Sequence, residues 1–367
     1  MSKYGGTKED MLAKQAALEL TLATARSQAD GAMARLTFDG VLNEINNRVV
    51  SLDGLAESIA RARARGYVWA GDLEQKLGHA KQMASQAQAT ARQETTRVAN
   101  ELRSRVNNTV SRVHRLDAVH NVTAREQEVN AVASECSSLN QAIDAAERRV
   151  KESVGTFLQT VDALAARCTQ VHFTLDNFEK ASFRMQPEEN PILAVKATWE
   201  DSPYGEREGM LFFTAHRVRF EQHEEVVLER SFLFFASRTD VKRTLMLDFL
   251  IGQLASSDDT ERGLMFKDQL LVFTLRPAQN LPQRATFELE DANAKEIDTL
   301  VEQLRAGDLQ RQRYQGPMPT ASNVGVPVRW PSKCENCGAA LTPPVKGQTI
   351  IACDYCRTNH PVELGQG

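Results

Sequence analysis

Cys334, Cys337, Cys353 and Cys356 form two Cys-x-x-Cys pairs with fifteen residues between them, the spacing of a closed tetrathiolate zinc site. Two residues between cysteines let both sulfurs of a tight turn reach one ion at about 2.3 Å, and two such turns facing each other complete a tetrahedron. Four thiolates leave no open coordination position. The expected Zn2+ ion therefore cannot activate water or polarise a substrate, and its role is structural. A disulfide pair or a redox Cys-x-x-Cys would use the same residues, but redox motifs rarely come as two pairs. His360 could replace one ligand; the alternative is a surface histidine.

Gly338 follows the second ligand, Pro343-Pro344 and Gly347 mark turns, and Thr349 to Ile351 reads as a short strand leading into Cys353. That order is knuckle, loop, strand, knuckle. The stretch from Cys-Glu-Asn-Cys-Gly-Ala-Ala-Leu to Ile-Ala-Cys-Asp-Tyr-Cys-Arg resembles the zinc-ribbon family in its ligand spacing and in the glycine after the first knuckle, over residues 331–361. A module of roughly 35 residues cannot bury a sufficient core, so metal binding would supply its folding free energy, on the order of 10 kcal/mol or more.

Charge bears on what such a module could bind. Arg329, Lys333, Lys346 and Arg357 oppose Glu335 and Asp354, leaving two positive charges, and four thiolates around one divalent zinc contribute two negative ones. The loaded module is near neutral, without the basic face of a nucleic-acid reader. The whole chain carries a formal net charge of -4, no field to attract nucleic acid or anionic lipid. Its start, Met-Ser-Lys-Tyr-Gly-Gly, has no apolar stretch of signal-peptide length, and the apolar run Leu245 to Ile251 is interrupted by Asp248. A cytoplasmic protein, at most peripheral to the membrane, is expected. Cys136 and Cys168 stand far apart, which suits reduced core residues better than a disulfide framework.

Positioning these residues requires at least two further elements, and the 367-residue chain is long enough for two to three domains. Residues 7–185 lack proline and repeat apolar residues at spacings of three and four, a helical coiled-coil pattern. The clearest seam runs Val129, Val132, Cys136, Leu139, Ile143, Ala146, Val150, then after a four-residue stutter Phe157, Val161, Leu164, Cys168, Val171, Leu175 and Phe178. A second runs from Leu73 to Leu116 with a stripe of alanines. A third, from Met11 to Ile59, is interrupted by Gly31, Gly40 and Gly54. Gly66 to Asp72 reads as a hairpin tip whose Tyr67 and Trp69 either staple the hairpin or wedge into a membrane interface. With another break near His120 to Thr123, three long antiparallel helices of about 50 to 60 residues are expected, roughly 75 to 90 Å each at 1.5 Å per residue. Their seams must pair within the chain, with a second copy or with a partner, and a homo-oligomer is the default expectation.

The period ends at Gln186-Pro187-Glu188-Glu189-Asn190-Pro191. Strands are expected at Ile192 to Trp199, Gly209 to Thr214, Arg217 to Gln222, Ser231 to Ala236, Leu245 to Leu250, Leu270 to Leu275 and Ala285 to Leu289. A helix capped by Asp291 follows. This is a small β-barrel or orthogonal sandwich plugged by a helix, which makes the chain a multidomain α+β protein. The run from Glu208-Gly209-Met210 to Arg219-Phe220 resembles the core hairpin of the GRAM branch of the pleckstrin-homology-like superfamily: a glycine, alternating apolar residues, Thr-x-x-Arg, then an aromatic strand. Over residues 191–307 that resemblance implies a binding module for lipid headgroups or protein segments. The first loop, Glu200 to Glu208, is acidic where phosphoinositide-binding members of the superfamily cluster cations. Arg238, Lys242 and Arg243 fall within one expected turn and could meet phosphate groups, or form a solvated loop around Asp240. Arg217 should pair with a carboxylate or with carbonyls to fix the hairpin. His216 and His223 flank the second strand as ordinary strand-end residues.

Residues 308–330 are proline- and glycine-containing without periodicity, and a flexible tether to the ribbon is expected. No phosphate-binding glycine loop, Gly-x-Ser-x-Gly elbow or His-Glu-x-x-His occurs, so no enzyme is expected. The leading expectation is a non-enzymatic scaffold or adaptor that self-associates through its coiled coil and recruits protein partners, with the membrane surface as a site of action. A second is a membrane-remodelling assembly factor similar to phage-shock protein A. A third is a nucleic-acid-binding regulator using the ribbon.

Overall fold

The computed structural model describes residues 8–119, 121–186, 188–229, 238–263, 268–317, 328–342, 344, 348 and 350–364. They belong to two compact units, one of residues up to Gly54 together with Lys76–Ala163, the other of Leu55–Gln75 and Leu164 onward.

The first unit is helical. Its elements are α1 (Lys8–Arg35), the start of α2 (Asp39–Ala64), most of α3 (Leu73–Arg115), α4 (Val122–Ser153) and the start of α5 (Gly155–Lys180). Polar pairs fix their directions. Asp53 meets Lys81 at 2.7 Å and Asn46 meets Gln88 at 2.9 Å, so α2 and α3 run antiparallel. Glu19 pairs with Arg125 at 2.9 Å, Arg35 with Glu147 at 2.9 Å and Glu44 with Lys151 at 2.6 Å, so α1 and α2 run parallel to α4. The up-down-up arrangement follows the expected three antiparallel runs. The longest single helix is the 43-residue α3, shorter than expected.

The breaks lie elsewhere than the glycines suggest. Gly31, Gly40 and Gly54 are all helical, and a Cβ at any of them would meet open space. The first run is instead interrupted at Phe38, which takes a left-handed φ of 55° and buries its ring, while the chain keeps its direction. At the stutter, Val154 leaves helical geometry at φ -119°, yet Leu158 N–H still donates to Val154 O at 3.1 Å, so the direction persists. Asn121 caps α4 by accepting from Ala124 N–H at 3.0 Å. Val129, Val132, Cys136, Leu139, Ile143, Ala146 and Val150 are all fully buried. The first three of these residues, Val129, Val132 and Cys136, meet Leu22, Ala25 and Ala29 of α1, Val113 near the end of α3 and Leu116 just after it. The α4 seam is therefore covered within the single chain.

The second unit holds the hairpin connector, a sheet and the cysteine module. Tyr67 and Trp69 are buried, which excludes them as an exposed membrane wedge. Arg63 clamps the connector, donating to the carbonyls of Tyr67 and Trp69 at 2.7 Å and of Ala70 at 2.9 Å while pairing with Glu74 at 2.9 Å. The donors of this buried guanidinium are thus divided between three connector carbonyls and the Glu74 carboxylate.

Seven antiparallel strands follow: β1 (Pro191–Trp199), β2 (Arg207–Thr214), β3 (Arg217–Glu229), β4 (Arg238–Leu250), β5 (Leu254–Arg262), β6 (Asp268–Leu275) and β7 (Arg284–Leu289). Their hydrogen-bonded order is β4-β3-β2-β1-β7-β6-β5. β4 and β5 end that order, so among the described residues the expected barrel is not closed. A three-residue turn, Ile251–Gln253, nonetheless joins these two edge strands, which requires the sheet to curl until its edges meet at that corner. Trp199, Phe213, Phe220, Phe249, Phe273 and Phe287 fill the curl with ring centroids 5.3 to 6.5 Å apart. β5 was not anticipated because Ser256 to Arg262 are all polar, with Asp258 to Arg262 exposed at an edge of the sheet. The expected strand Ser231 to Ala236 lies outside the described residues. α6 (Ala294–Ala306) buries Ile297, Val301 and Leu304; Asn293 rather than Asp291 is its cap, accepting from Lys295 N–H at 3.0 Å.

Residues 308–317 do not begin a free tether. Gly71 N–H donates to Gln312 O at 2.8 Å, Tyr314 N–H donates to Val68 O at 2.8 Å, and the Tyr314 ring lies 4.3 Å from the Arg63 guanidinium. This strap covers the hairpin connector. Residues 318–327, the rest of the expected tether, lie outside the described residues. The cysteine module then pairs β8 (Val328–Arg329) with β11 (Glu363–Leu364) and β9 (Ile350–Ala352) with β10 (Asn359–Pro361). Among the described residues, no helix is long and apolar enough to cross a membrane.

Candidate metal centre

The two Cys-x-x-Cys turns are built alike. Gly338 N–H donates to Cys334 O at 2.8 Å, and Arg357 N–H donates to Cys353 O at 2.9 Å. Both following residues are left-handed, with φ 74° at Gly338 and 62° at Arg357. Each first cysteine is then tied to the returning chain, Cys334 N–H to Ala339 O at 2.7 Å and Cys353 N–H to Thr358 O at 2.9 Å. Trp330, Leu341, Ile351 and Val362 pack around Cys334 and Cys353 as a small apolar cluster.

Facing one another, the turns bring all four sulfurs within 4.8 Å. Cys334 and Cys356 stand 3.4 Å apart and Cys337 and Cys353 3.5 Å apart, too far for disulfide bonds. Tetrahedral ligands at about 2.3 Å from zinc would stand roughly 3.8 Å from one another. Donor type, number and spacing thus fit a metal ion, and the four predicted residues are brought together.

The thiols are electrically unequal. Hydrogen bonds from the Thr358 hydroxyl, 3.1 Å away, and from its backbone N–H hold the Cys356 thiol down at about 5. At Cys337 the Ala339 N–H pulls downward, but the neighbouring Cys356 sulfur, desolvation and the other two sulfurs outweigh it and push the thiol up to about 12. Four adjacent thiolates repel unless a cation lies among them, which is the electrostatic reason to expect a divalent ion here.

His360 belongs neither to the ligand set nor to the surface. It is buried in β10, and its Nε2 lies 3.2 Å from Cys334 Sγ, where a protonated Nε2 donates to the sulfur. The alternation of β10, exposed at Asn359 and Pro361 and buried between them, was the signal available in the sequence.

The other singled-out residues scatter. Arg238, Lys242 and Arg243 lie on the extended strand β4, not in a turn, and successive strand residues point to opposite faces. Lys242 is exposed opposite Glu224, whereas Arg243 stands opposite His223 with Nε 3.8 Å from the buried Glu221. The side chain of Arg238 lies outside the described residues. Lys242 and Arg243 therefore form no common phosphate cradle. His223 is not a plain strand end, since its Nε2 lies 3.0 Å from Glu221 Oε1, and Ser182 donates to the same carboxylate through N–H and hydroxyl at 2.6 Å. His216 contributes its carbonyl to Ile251 N–H at 2.8 Å.

Arg217 pairs with Asp248 at 2.8 Å, the carboxylate partner expected of it. Two residues on, Arg219 is fully buried and holds both oxygens of Glu189 at 2.9 Å, with the Phe183 ring 4.8 Å from its guanidinium. Arg219 was missed, although the Arg-x-Arg spacing places both side chains on one strand face. Gly209, which opens the hairpin motif, has a backbone reason: a Cβ there would stand 2.0 Å from Glu221 O. Cys136 and Cys168 are buried core residues whose thiols are pushed up chiefly by desolvation.

No protein-family model matches the chain, and no curated protein matches it. Among solved structures, the DH/PH domains of PDZ-RhoGEF in complex with GTP-γ-S-activated RhoA are 12% identical, covering 83% of this chain and 96% of that one at a TM-score of 0.25. N-terminally truncated linker-DH/PH domains of p115-RhoGEF are 11% identical over 81% and 98%, at 0.20. The DH/PH domain of human ARHGEF11 in a ternary complex with human RhoA and its inhibitor is 11% identical over 78% and 91%, at 0.21. Superpositions this loose carry no argument about fold or function.

Proposed function

We propose that this chain is a non-enzymatic adaptor in which a helical unit and a PH/GRAM-like sheet present a small module clamped by one structural Zn2+. The observation that carries this reading is the closed sulfur cluster. Four cysteine sulfurs lie within 4.8 Å of one another, and a tetrahedral ion held by all four would serve folding and leave no position for a substrate. Cys334, Cys337, Cys353 and Cys356 are the ligands, with His360 and Thr358 hydrogen-bonded to two of them.

The partners are proteins. The mixed charges around β4 give phosphoinositides no convergent cations, and the near-neutral module gives nucleic acid none. A membrane-remodelling role would need exposed apolar helix faces, whereas the α4 seam is covered within the chain and the aromatic pair at the connector is buried.

Three measurements on the full chain test the reading together. Elemental analysis should find one zinc per chain. Flotation with anionic liposomes should leave the protein at the bottom of the gradient, and titration with DNA or RNA should give no salt-dependent shift. Sub-stoichiometric zinc in protein prepared without chelator sinks the metal assignment. Flotation that persists at physiological salt, or a steep salt-dependent shift, replaces the adaptor with a lipid- or nucleic-acid-binding protein.

A further inference from the structure

In the second unit the cysteine module lies against the sheet. Pro344 is buried, and its carbonyl accepts from Arg184 N–H at 3.3 Å. Between the module and β4 there is a cleft of about 290 Å3, at the small end of ligand sites, which run from about 300 to 1,000 Å3. β4 supplies Leu245, Met246 and Leu250, the loop after β6 supplies Leu281, and the module supplies Ala340. Leu250 is 41% exposed, Ala340 is exposed and the other three are half-buried, so their apolar surface is open to an entering group. Scattered exposed leucines need no explanation, but apolar surface gathered from three segments marks a binding site.

The charges around this surface are few. Arg217 and Asp248 line the cleft and neutralise each other at 2.8 Å. Lys333 is the third charged lining residue; it is exposed and has no ion-pair partner among the described residues. The remaining polar lining is neutral, and no aromatic ring takes part.

We infer that this cleft binds one medium-chain acyl carboxylate, its chain against Leu245, Met246, Leu250 and Leu281 and its head group at Lys333. The site goes beyond the adaptor reading but rests on its zinc-clamped module, which forms one wall. Size and charge select the ligand. The volume holds about ten groups of about 30 Å3 each, one chain of about that many carbons, whereas a helix about 10 to 12 Å across does not fit. A peptide terminus of the same charge would lay its amide groups against leucine and methionine, which is costly where they find no partner. A polyanionic headgroup would bring several negative charges to a single free lysine.

The test uses the full-length chain with its zinc content measured, carrying 13C in its nine methionine methyl groups. The methyl resonance that disappears in Met246→Leu identifies Met246. Sodium decanoate, kept below its micelle concentration, should shift that resonance and saturate at one molecule per chain. Each carbon removed from the ligand should weaken binding roughly 4-fold. Lys333→Gln should weaken decanoate by roughly 2- to 5-fold and leave decanol, which has no charge, unaffected. Ala340→Trp, which fills the cleft from an exposed position, should abolish binding of both with zinc content unchanged. Zinc-stoichiometric protein whose Met246 resonance ignores decanoate overturns the proposal, as does one that moves only with a peptide ending in a free carboxylate. Equal losses of decanoate and decanol in Lys333→Gln overturn it too, and so does binding that survives Ala340→Trp. Less than one zinc per wild-type chain would instead mark failure of the metal reading itself.

Discussion

The helical unit and the cysteine module solve one problem by opposite means. Along α4 a seam of seven residues, one every third or fourth position, is fully buried, its first three packing against α1 and the end of α3, and no single contact is indispensable. In the module four buried apolar residues surround the sulfur cluster, and among the described residues no larger apolar cluster holds its paired strands together. Distributed burial makes the first tolerant and salt-insensitive, with ion pairs such as Glu44 to Lys151 at its exposed rim adding little. Concentrating the folding energy in one ion, as proposed for the module, would make the second all-or-none.

Metal removal should break that contrast most visibly. Chelation, or Cys353→Ser, should unfold the module, forfeiting on the order of 10 kcal/mol of metal-linked folding energy. The helical circular dichroism and its thermal midpoint should stay unchanged. Limited proteolysis followed by mass spectrometry would then find new cuts after residue 328 only. Cuts appearing in α3 or α4 as well would mean that the two regions are not energetically separate.

The reciprocal experiment is Ile143→Ala. Ile143 is completely buried in the middle of the α4 seam, so the substitution should cost about 2 to 5 kcal/mol. Urea unfolding followed by helical signal would show it as a lower midpoint, with zinc stoichiometry unaltered.

What the sequence made legible follows the same division. The seam and the cysteine spacing are local patterns, periodic or fixed by turn length, and both stand where the pattern put them. Arg219, Glu189 and Asp248 come from three separate segments, and only the register of β3 against β4, with Arg219 opposite Asp248, brings two of them together. The strap was illegible for a similar reason: Gln312 and Tyr314 lie in a stretch without periodicity, and their partners Gly71 and Val68 are more than two hundred residues away. Lys242 and Arg243 form no patch because a cluster in sequence becomes a patch on a turn but is split between faces on a strand.

Between the two extremes lies the sheet, and Gly209→Ala would sharpen how tightly it is built. The new methyl would collide with a carbonyl of β3, not with a flexible side-chain tip, so β2 and β3 must part. A loss of about 1 to 3 kcal/mol is expected, read as a lower thermal midpoint with faster amide exchange in β2 and β3. Exchange rates unchanged there would show that the hairpin yields more easily than its close approach implies.

The smallest effect probes the module's internal symmetry. Gly338 and Arg357 occupy equivalent positions after their cysteine pairs and share the left-handed conformation, but only one of them is the residue for which that conformation is nearly free. Arg357 carries the strain of a Cβ at φ 62°; its side chain is exposed, and among the described residues no ion pair offsets that strain. Arg357→Gly should therefore relieve up to about 1 kcal/mol of native-state strain, while the added freedom of the unfolded chain returns roughly half of it. The net should be a gain of a few tenths of a kcal/mol, read as slower zinc transfer to a competing chelator. Faster transfer would mean that Arg357 contributes something the fold does not display, and the two turns would then be alike in backbone only.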